Sequence, residues 1–391
     1  MSLHTVLDYV GVEGAHQILD PQHRAALLGE GTVIERLRVK PGSSLVAAWS
    51  RPDAHGNAGW ADRGWIALLT SEDKVAGILR RATRGSGNVT VHRDAMPYLL
   101  SGPIDTDPRL ARPLARALRE VRDEMHIDVV RYNPSRRLVL RVQGSDVPGG
   151  DAMMRIAPRG LDRLMRAEEQ WAAGGAPVLR HQWWGSKGTA ALAPYWGSGD
   201  LTTVRSTAAA YECGRMVARV HEAGASTQAA TIGSSRVPGE AAVVAQLIPG
   251  LSERLDAVDA LLGESRTDEQ TVPLHGDLSP DQVLTDGAQI RLIDLDRARA
   301  GAAGEDLGSW CAACRLIGAP ELETAFLEGY GAVRDRDLAP WIARALLTGA
   351  LEPFRRWQPD WPGEIEARVT MAEEILGERK GHDRNTKHGA L

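Results

Sequence analysis

The stretch 275–284 constrains this chain more than any other: His275-Gly276-Asp277-Leu278-Ser279-Pro280-Asp281-Gln282-Val283-Leu284. It follows an apolar run at 272–274 and ends in the apolar pair Val283-Leu284, with Gly276 and Pro280 between. Apolar ends around glycine and proline predict a tight loop between two short buried strands. Residues 289–295 supply a further short strand, with Asp286-Gly287 as the hairpin turn. Asp277 in the loop, Gln282 at its end and Asp294 at the next strand end are thereby expected to converge. A hydroxyl nucleophile needs a nearby base, and a triphosphate needs a hard cation held by oxygen ligands. Two acids and an amide on neighbouring strand ends supply both.

At 391 residues the chain has room for two or three domains. With 43% hydrophobic and 25% charged residues, it has the composition of an ordinary soluble protein. A net charge of −5 argues against nucleic acid, which selects a basic face. No apolar run approaches the length of a membrane span, and residues 1–12 lack a basic region followed by an apolar core. The expected location is the cytoplasm. Three cysteines agree with a reducing compartment. Cys311 and Cys314 form a Cys-x-x-Cys inside a helical stretch, but no second pair completes a zinc site, so buried thiols are expected.

Along the chain, 1–20 reads as a short helix and a turn, and 32–49 as two strands around Pro41-Gly42. Strand 64–69, helix 71–81, strand 88–92 and an Arg-rich helix 108–125 follow. The hairpin then recurs. Arg38, Pro41, Leu45 and Val46 coincide with Arg131, Pro134, Leu138 and Val139 at an offset of 93 residues. Both copies continue into strands and a helix, which points to a duplicated unit; the plain alternative is that hairpins with proline turns look alike. The second copy runs hairpin 129–142, Gly-rich loop 144–150, strand 152–157, helix 161–173 and then Pro177-Val178. Beyond it, 190–201 is an apolar strand and a loop with two glycines. Helices are expected at 207–222, 241–262, 321–330, 338–351 and 362–376, with a loop at 227–238 and a polar, disordered tail from 379.

The spaced set His275-Gly276-Asp277, Gln282 and Ile293-Asp294 resembles the catalytic and metal-binding loops of the aminoglycoside phosphotransferase and choline kinase family, relatives of the protein kinases. That family usually has Asn where Gln282 stands, and its maltokinase-like branches carry Gln. The resemblance implies an α+β, two-lobed protein-kinase-like fold with a small β-rich lobe and a large helical lobe. It also implies ATP and Mg2+ as cofactors. Asp277 takes the role of catalytic base, with His275 beside it in the catalytic set, and Gln282 and Asp294 become metal ligands. The turn starting at Asn133 would cover the phosphates. The lysine that grips them has no counterpart, because lysine occurs only at 40, 74, 187, 380 and 387. Arg155 stands at that position, with Glu168 or Glu169 as its helix carboxylate. Arg keeps the charge, but its planar fork does not replace a compact ammonium. Backbone near Ala193 and Tyr195 is the hinge expected to bind adenine.

Two further stretches resemble the family. Residues 214–221 match Gly-x-x-Leu-Ala-x-Leu-His, with His221 expected to pack in the core. Residues 304–310 match Gly-x-x-x-Asp-Leu-Ala, with Asp306 expected to brace the catalytic loop. Trp310, Trp341, Trp357 and Trp361 are read as clustering in the large lobe, where such aromatics shape an acceptor pocket; for Trp310 and Trp341 core packing is the better reading.

The expected organisation is an N-terminal α/β cap at 1–125 resembling a second small lobe, a kinase-like small lobe at 126–194, a helical large lobe at 195–378 and a disordered tail at 379–391. The expected activity is transfer of the ATP γ-phosphoryl group to a hydroxyl of a small molecule such as an aminoglycoside, a sugar or another metabolite, with neither nucleic acid nor membrane as partner. Two alternatives stay open. One is a kinase for Ser or Thr of a peptide natural-product precursor, with a partner protein. The other is a pseudokinase scaffold or nucleotide-binding regulator, motivated by Arg155 and Gln282.

Overall fold

The computed structural model describes residues 3–82, 87–121, 124–144, 147–229, 238–263, 270–331 and 335–388. The chain is α+β and divides into two compact units. The first comprises residues 1–162, 181–195 and 352–361; the second comprises 163–180, 196–351 and 362–391.

The first unit is built on two antiparallel five-stranded sheets. One contains β1 (Val33–Lys40), β2 (Ser44–Ser50), β3 (Arg63–Leu69), β4 (Thr90–Val91) and β5 (Leu99–Pro103), in the order β1-β2-β3-β5-β4. The other contains β6 (His126–Asn133), β7 (Arg137–Gln143), β8 (Asp151–Ile156), β9 (Gln182–Trp183) and β10 (Ala190–Pro194), in the order β6-β7-β8-β10-β9. The two orders are the same. The aligned hairpins also share their register, Arg38 opposite Val46 and Arg131 opposite Val139. Each first strand carries a bulge, between Ile34 and Arg36 in one and between Val129 and Arg131 in the other.

Alternation makes β7 a half-buried strand: Leu138, Leu140 and Val142 point inward and the residues between them do not. These side chains join Met154 and Ile156 of β8 and Trp65, Ala67 and Leu100 of the first sheet in one apolar core. Full burial of a side chain of this size stabilises by about 1.5–3 kcal/mol. Trp65 satisfies its indole N–H on Thr106 Oγ1 at 3.1 Å. The Arg-rich helix is shorter than the 108–125 expected, running Ala111–Leu118; the turn ahead of it is held by Asp107, whose Oδ1 accepts from the backbone N–H of Arg109 and Leu110. Residues 122–123 of that expectation lie outside the described residues, as do 145–146 of the Gly-rich loop and 230–237 of the loop placed at 227–238. Strand β5, Leu99–Pro103, was not anticipated.

The second unit is mainly helical. Helix Thr207–Ala223 starts at Ser206, whose Oγ caps Ala209 N–H, and packs against helix Pro320–Tyr330. The approach is close enough to require glycine: a Cβ on Gly214 would sit 2.0 Å from the Phe326 carbonyl oxygen. The helix expected over 241–262 is interrupted. It becomes Gly239–Leu247, a 3-10 turn Pro249–Leu251 and Ser252–Gly263, since Pro249 has no N–H to continue the ladder. Helix Trp361–His388 runs into the segment read from sequence as a disordered tail, where no proline stops it; residues 389–391 lie outside the described ones.

The tryptophans do not form one group. Trp310 is fully buried in the second unit, stacked on Phe326 with ring centroids 4.3 Å apart, and Trp341 is buried there too. Trp357 and Trp361 instead pack edge-on against Phe354 in the first unit, and Tyr9 meets the same ring. Residues 352–361 thus group with the N-terminal elements, where Glu352 pairs with Arg36 at 2.7 Å. Among the described residues no helix is long and apolar enough to cross a membrane.

Candidate active site

Strand Gln270–Leu274 pairs with strand Arg299–Ala302 and delivers the chain to His275. A second sheet joins Val283–Thr285 to Ile290–Leu292, which ends just before Asp294. That last strand is held from its other side as well. Leu292 N–H donates to the Pro177 carbonyl and Leu179 N–H to the Leu292 carbonyl, both at 2.9 Å. The loop end and the strand end are stitched directly, since Ile293 N–H donates to the Gln282 carbonyl at 3.1 Å.

The loop between these strands is fixed by a buried carboxylate. Asp306, fully buried on helix Ala303–Leu316, accepts the backbone N–H of His275 at 2.7 Å and that of Gly276 at 2.8 Å. Gly276 has φ +80°, and a Cβ there would lie 2.4 Å from the Arg297 carbonyl oxygen. Burial alone would raise the Asp306 pKa. His221, whose Nε2 is 3.4 Å away, the charge on His275 and the Gly276 amide outweigh it and hold the carboxyl below its usual value. His221 is buried, with Nδ1 3.0 Å from the Tyr330 hydroxyl, and is a core residue as expected.

His275, grouped from the sequence with the catalytic residues, is fully enclosed. It is 0% exposed; its Nε2–H donates to the Ile293 carbonyl at 2.9 Å, and Trp171 covers its ring edge-on. Buried in this way, the ring ties the loop to the Asp294 strand.

Asp277, by contrast, keeps 46% of its side chain exposed. Burial of the carboxylate's surroundings raises its pKa; Asp294 and Asp281 add to the rise, while Arg297 and His275 oppose it. Arg297 Nη1 donates to Asp277 Oδ1 at 3.0 Å. This pairing was not foreseen, because an arginine three residues beyond an Ile-Asp strand end has no spacing that marks its partner. Asp281 was also missed: it accepts from Ser279 Oγ at 2.5 Å and from Gln282 Nε2 at 2.9 Å.

That second bond fixes the Gln282 amide. The side chain is buried, its nitrogen is committed to Asp281, and its oxygen accepts no hydrogen bond among the described residues. An amide oxygen left over beside a carboxylate is the donor chemistry a hard cation takes. Asp294 supplies the carboxylate from a left-handed backbone with φ +62°, a conformation rare outside glycine and one that Asp tolerates better than most residues.

The remaining expected residues are distributed over both units. Arg155 is buried at the centre of its sheet, opposite Val139 on one side and Ala191 on the other. Asn133 ends β6, and the turn after it is anchored from the N-terminal region: Asp107 Oδ2 accepts from Ser135 N–H and from the Tyr132 hydroxyl, each at 2.7 Å. Ala193 is buried in β10 opposite Met153. Tyr195 is half-exposed, its N–H bonded to the Asp151 carbonyl and the Arg141 guanidinium 4.1 Å above its ring. Glu168 belongs to the second unit and is buried on helix Asp162–Ala173, unlike the exposed Glu169.

The loop thus presents a half-exposed acid, followed by an amide oxygen and a second acid on adjoining strands of an α+β scaffold. The profile of the phosphotransferase enzyme family matches residues 129–341, more than half of the chain. The chain belongs to that family: it has the two-lobed kinase-like fold and is a kinase with an alcohol group as acceptor. Solved structures similar to it include a choline/ethanolamine kinase family protein from Mesorhizobium loti, 15% identical, covering 67% of this chain and 94% of that one with a TM-score of 0.46. An aminoglycoside-3'-phosphotransferase of type VIII is 22% identical, covering 61% and 98% with a TM-score of 0.43. A spectinomycin phosphotransferase in complex with ADP and spectinomycin is 13% identical, covering 66% and 93% with a TM-score of 0.47. A comparison with curated proteins gave no match.

Proposed function

We propose that this chain moves the γ-phosphoryl group of ATP to a hydroxyl of a small molecule, an aminoglycoside, a sugar or another metabolite, with Mg2+ as cofactor. The observation that carries the reading is the contrast inside one short loop. His275 and Asp306 are buried, with His275 Nε2–H on the Ile293 carbonyl and the Asp306 carboxylate on the His275 and Gly276 amides, while Asp277 stays half-exposed beside them.

In this reading Asp277 accepts a hydrogen bond from the acceptor hydroxyl, orients it, and takes its proton as the oxygen attacks. The raised pKa makes it a better base than an unperturbed carboxylate. Arg297, paired with Asp277, holds the carboxylate in place and stabilises its charge before the hydroxyl arrives. Asp294 and the Gln282 oxygen would hold Mg2+, which supplies positive charge against the phosphates. Arg155, the turn after Asn133 and the Ala193–Tyr195 backbone are assigned to the nucleotide, and Glu168 to the support of Arg155. His275 is assigned a positioning role. Residues 1–125 are read as a cap duplicated from the small lobe, supported by the shared strand order and hairpin register.

The test is ATP consumption against a panel of aminoglycosides, sugars and nucleosides, using the wild type and Asp277→Asn. The variant should keep nucleotide binding and lose about 10²–10⁴-fold in rate. Full activity in the variant would remove Asp277 from its role.

A further inference from the structure

Beside the catalytic loop, and wholly inside the second unit, lies a cavity of about 460 Å³. Arg163 and Arg166 of helix Asp162–Ala173 line it together with Thr271, Val272, Pro273 and Arg299. None of the residues assigned to the phosphoryl-transfer site is among those that line it.

The charges here are not balanced. Three guanidiniums face the cavity and no carboxylate lines it. Arg299 has a carboxylate partner outside the lining, Glu305. Arg163 spends Nη2 on the Ala298 carbonyl at 3.1 Å, a neutral acceptor that leaves its charge uncompensated. Arg166 has no hydrogen bond or ion pair among the described residues. Two positive charges thus remain at a concave site, and guanidinium forks match phosphate and carboxylate oxygens. Ala167, Val272 and Pro273 give the wall an apolar patch, beside the polar Gln170 and Thr271. The volume falls within the roughly 300–1,000 Å³ of small-molecule pockets.

We propose that this cavity is a second ligand site, for a small phosphate monoester that carries an apolar body. The phosphate sits between Arg163 and Arg166, and the body lies against Val272 and Pro273. Site and catalytic loop share a wall: a Cβ on Gly276 would come 3.2 Å from Arg299 Nη1.

The test is titration calorimetry on the full chain at low ionic strength, where screening is weakest, with phenyl phosphate and inorganic phosphate as probes. Arg166→Ala should weaken phenyl phosphate binding by about tenfold, the loss of one charge-assisted contact. Arg163→Gln should weaken it in the same direction. Arg112→Ala, on a helix of the other unit, should leave it unchanged. Phenyl phosphate should bind the wild type more tightly than inorganic phosphate does. No saturable binding, a loss of under about fivefold in Arg166→Ala, an equal loss in Arg112→Ala, or no preference for the phenyl ester would each overturn the proposal.

Discussion

Replacing Asp306 by Asn tests the physical basis of the site without knowledge of the acceptor. Asp306 receives the His275 N–H on one oxygen and the Gly276 N–H on the other, in full burial. Asn presents one oxygen and one NH2, so one of the two backbone N–H groups must face a donor. The variant forfeits a charge-assisted hydrogen bond, about 1.5–3 kcal/mol, and leaves a buried donor unsatisfied, about 1–3 kcal/mol. Allowing for relaxation, the expected loss is about 2–5 kcal/mol. The pH dependence follows from the lowered pKa of Asp306. A carboxyl whose folded pKa lies below its unfolded value stabilises fully above the unfolded value and loses that contribution as pH falls through the folded one. Urea unfolding of wild type and Asp306→Asn should show a clear gap in midpoint at pH 7 that narrows towards pH 3. The turnover rate should fall with the loop's loss of definition. Equal midpoints at pH 7, or a gap that widens in acid, would refute the bracing argument.

Two further outcomes are expected. Gln282→Asn should retain Mg2+ binding far better than Gln282→Leu, since only Asn keeps an amide oxygen; calorimetric titration of Mg2+ in the presence of nucleotide reads this, and equal affinities would remove Gln282 from the ligand set. Glu352 sits at a pKa of about 2: burial pushes it up, but the hydrogen bonds and charges of Arg36 and Arg355 prevail. Glu352→Gln should cost roughly 1–3 kcal/mol at neutral pH, with the deficit fading as pH falls from the ordinary 4.5 towards 2; thermal melts across that range that show a constant deficit would contradict the pairing.

The sequence by itself determined the parts whose physics is local. Gly276, Pro280 and the Asp286-Gly287 turn dictate backbone geometry within a few residues, so the loop, its flanking strands and the succession Asp277, Gln282, Asp294 were legible. The two hairpins were legible for the same reason, and their registers coincide at the offset the sequence showed. Asp306 was legible as a brace through its motif, although its two amide partners lie about thirty residues away.

What only the tertiary structure decided depends on partners distant in sequence. Asp107 reaches Tyr132 and Ser135, Arg297 reaches back to Asp277, and Arg36 pairs with Glu352 across 316 positions. That last pair, with Tyr9 on Phe354, accompanies the grouping of residues 352–361 with the N-terminal unit, which reassigned two of four tryptophans. The burial of His275 against Trp171, with its ring bonded to the Ile293 carbonyl, likewise could not be read from its motif. Such pairings leave no periodicity or turn chemistry in the chain. An arginine reads the same in a one-dimensional string whether it meets solvent or a carboxylate, and the choice is made when packed elements bring the two charges within hydrogen-bond range.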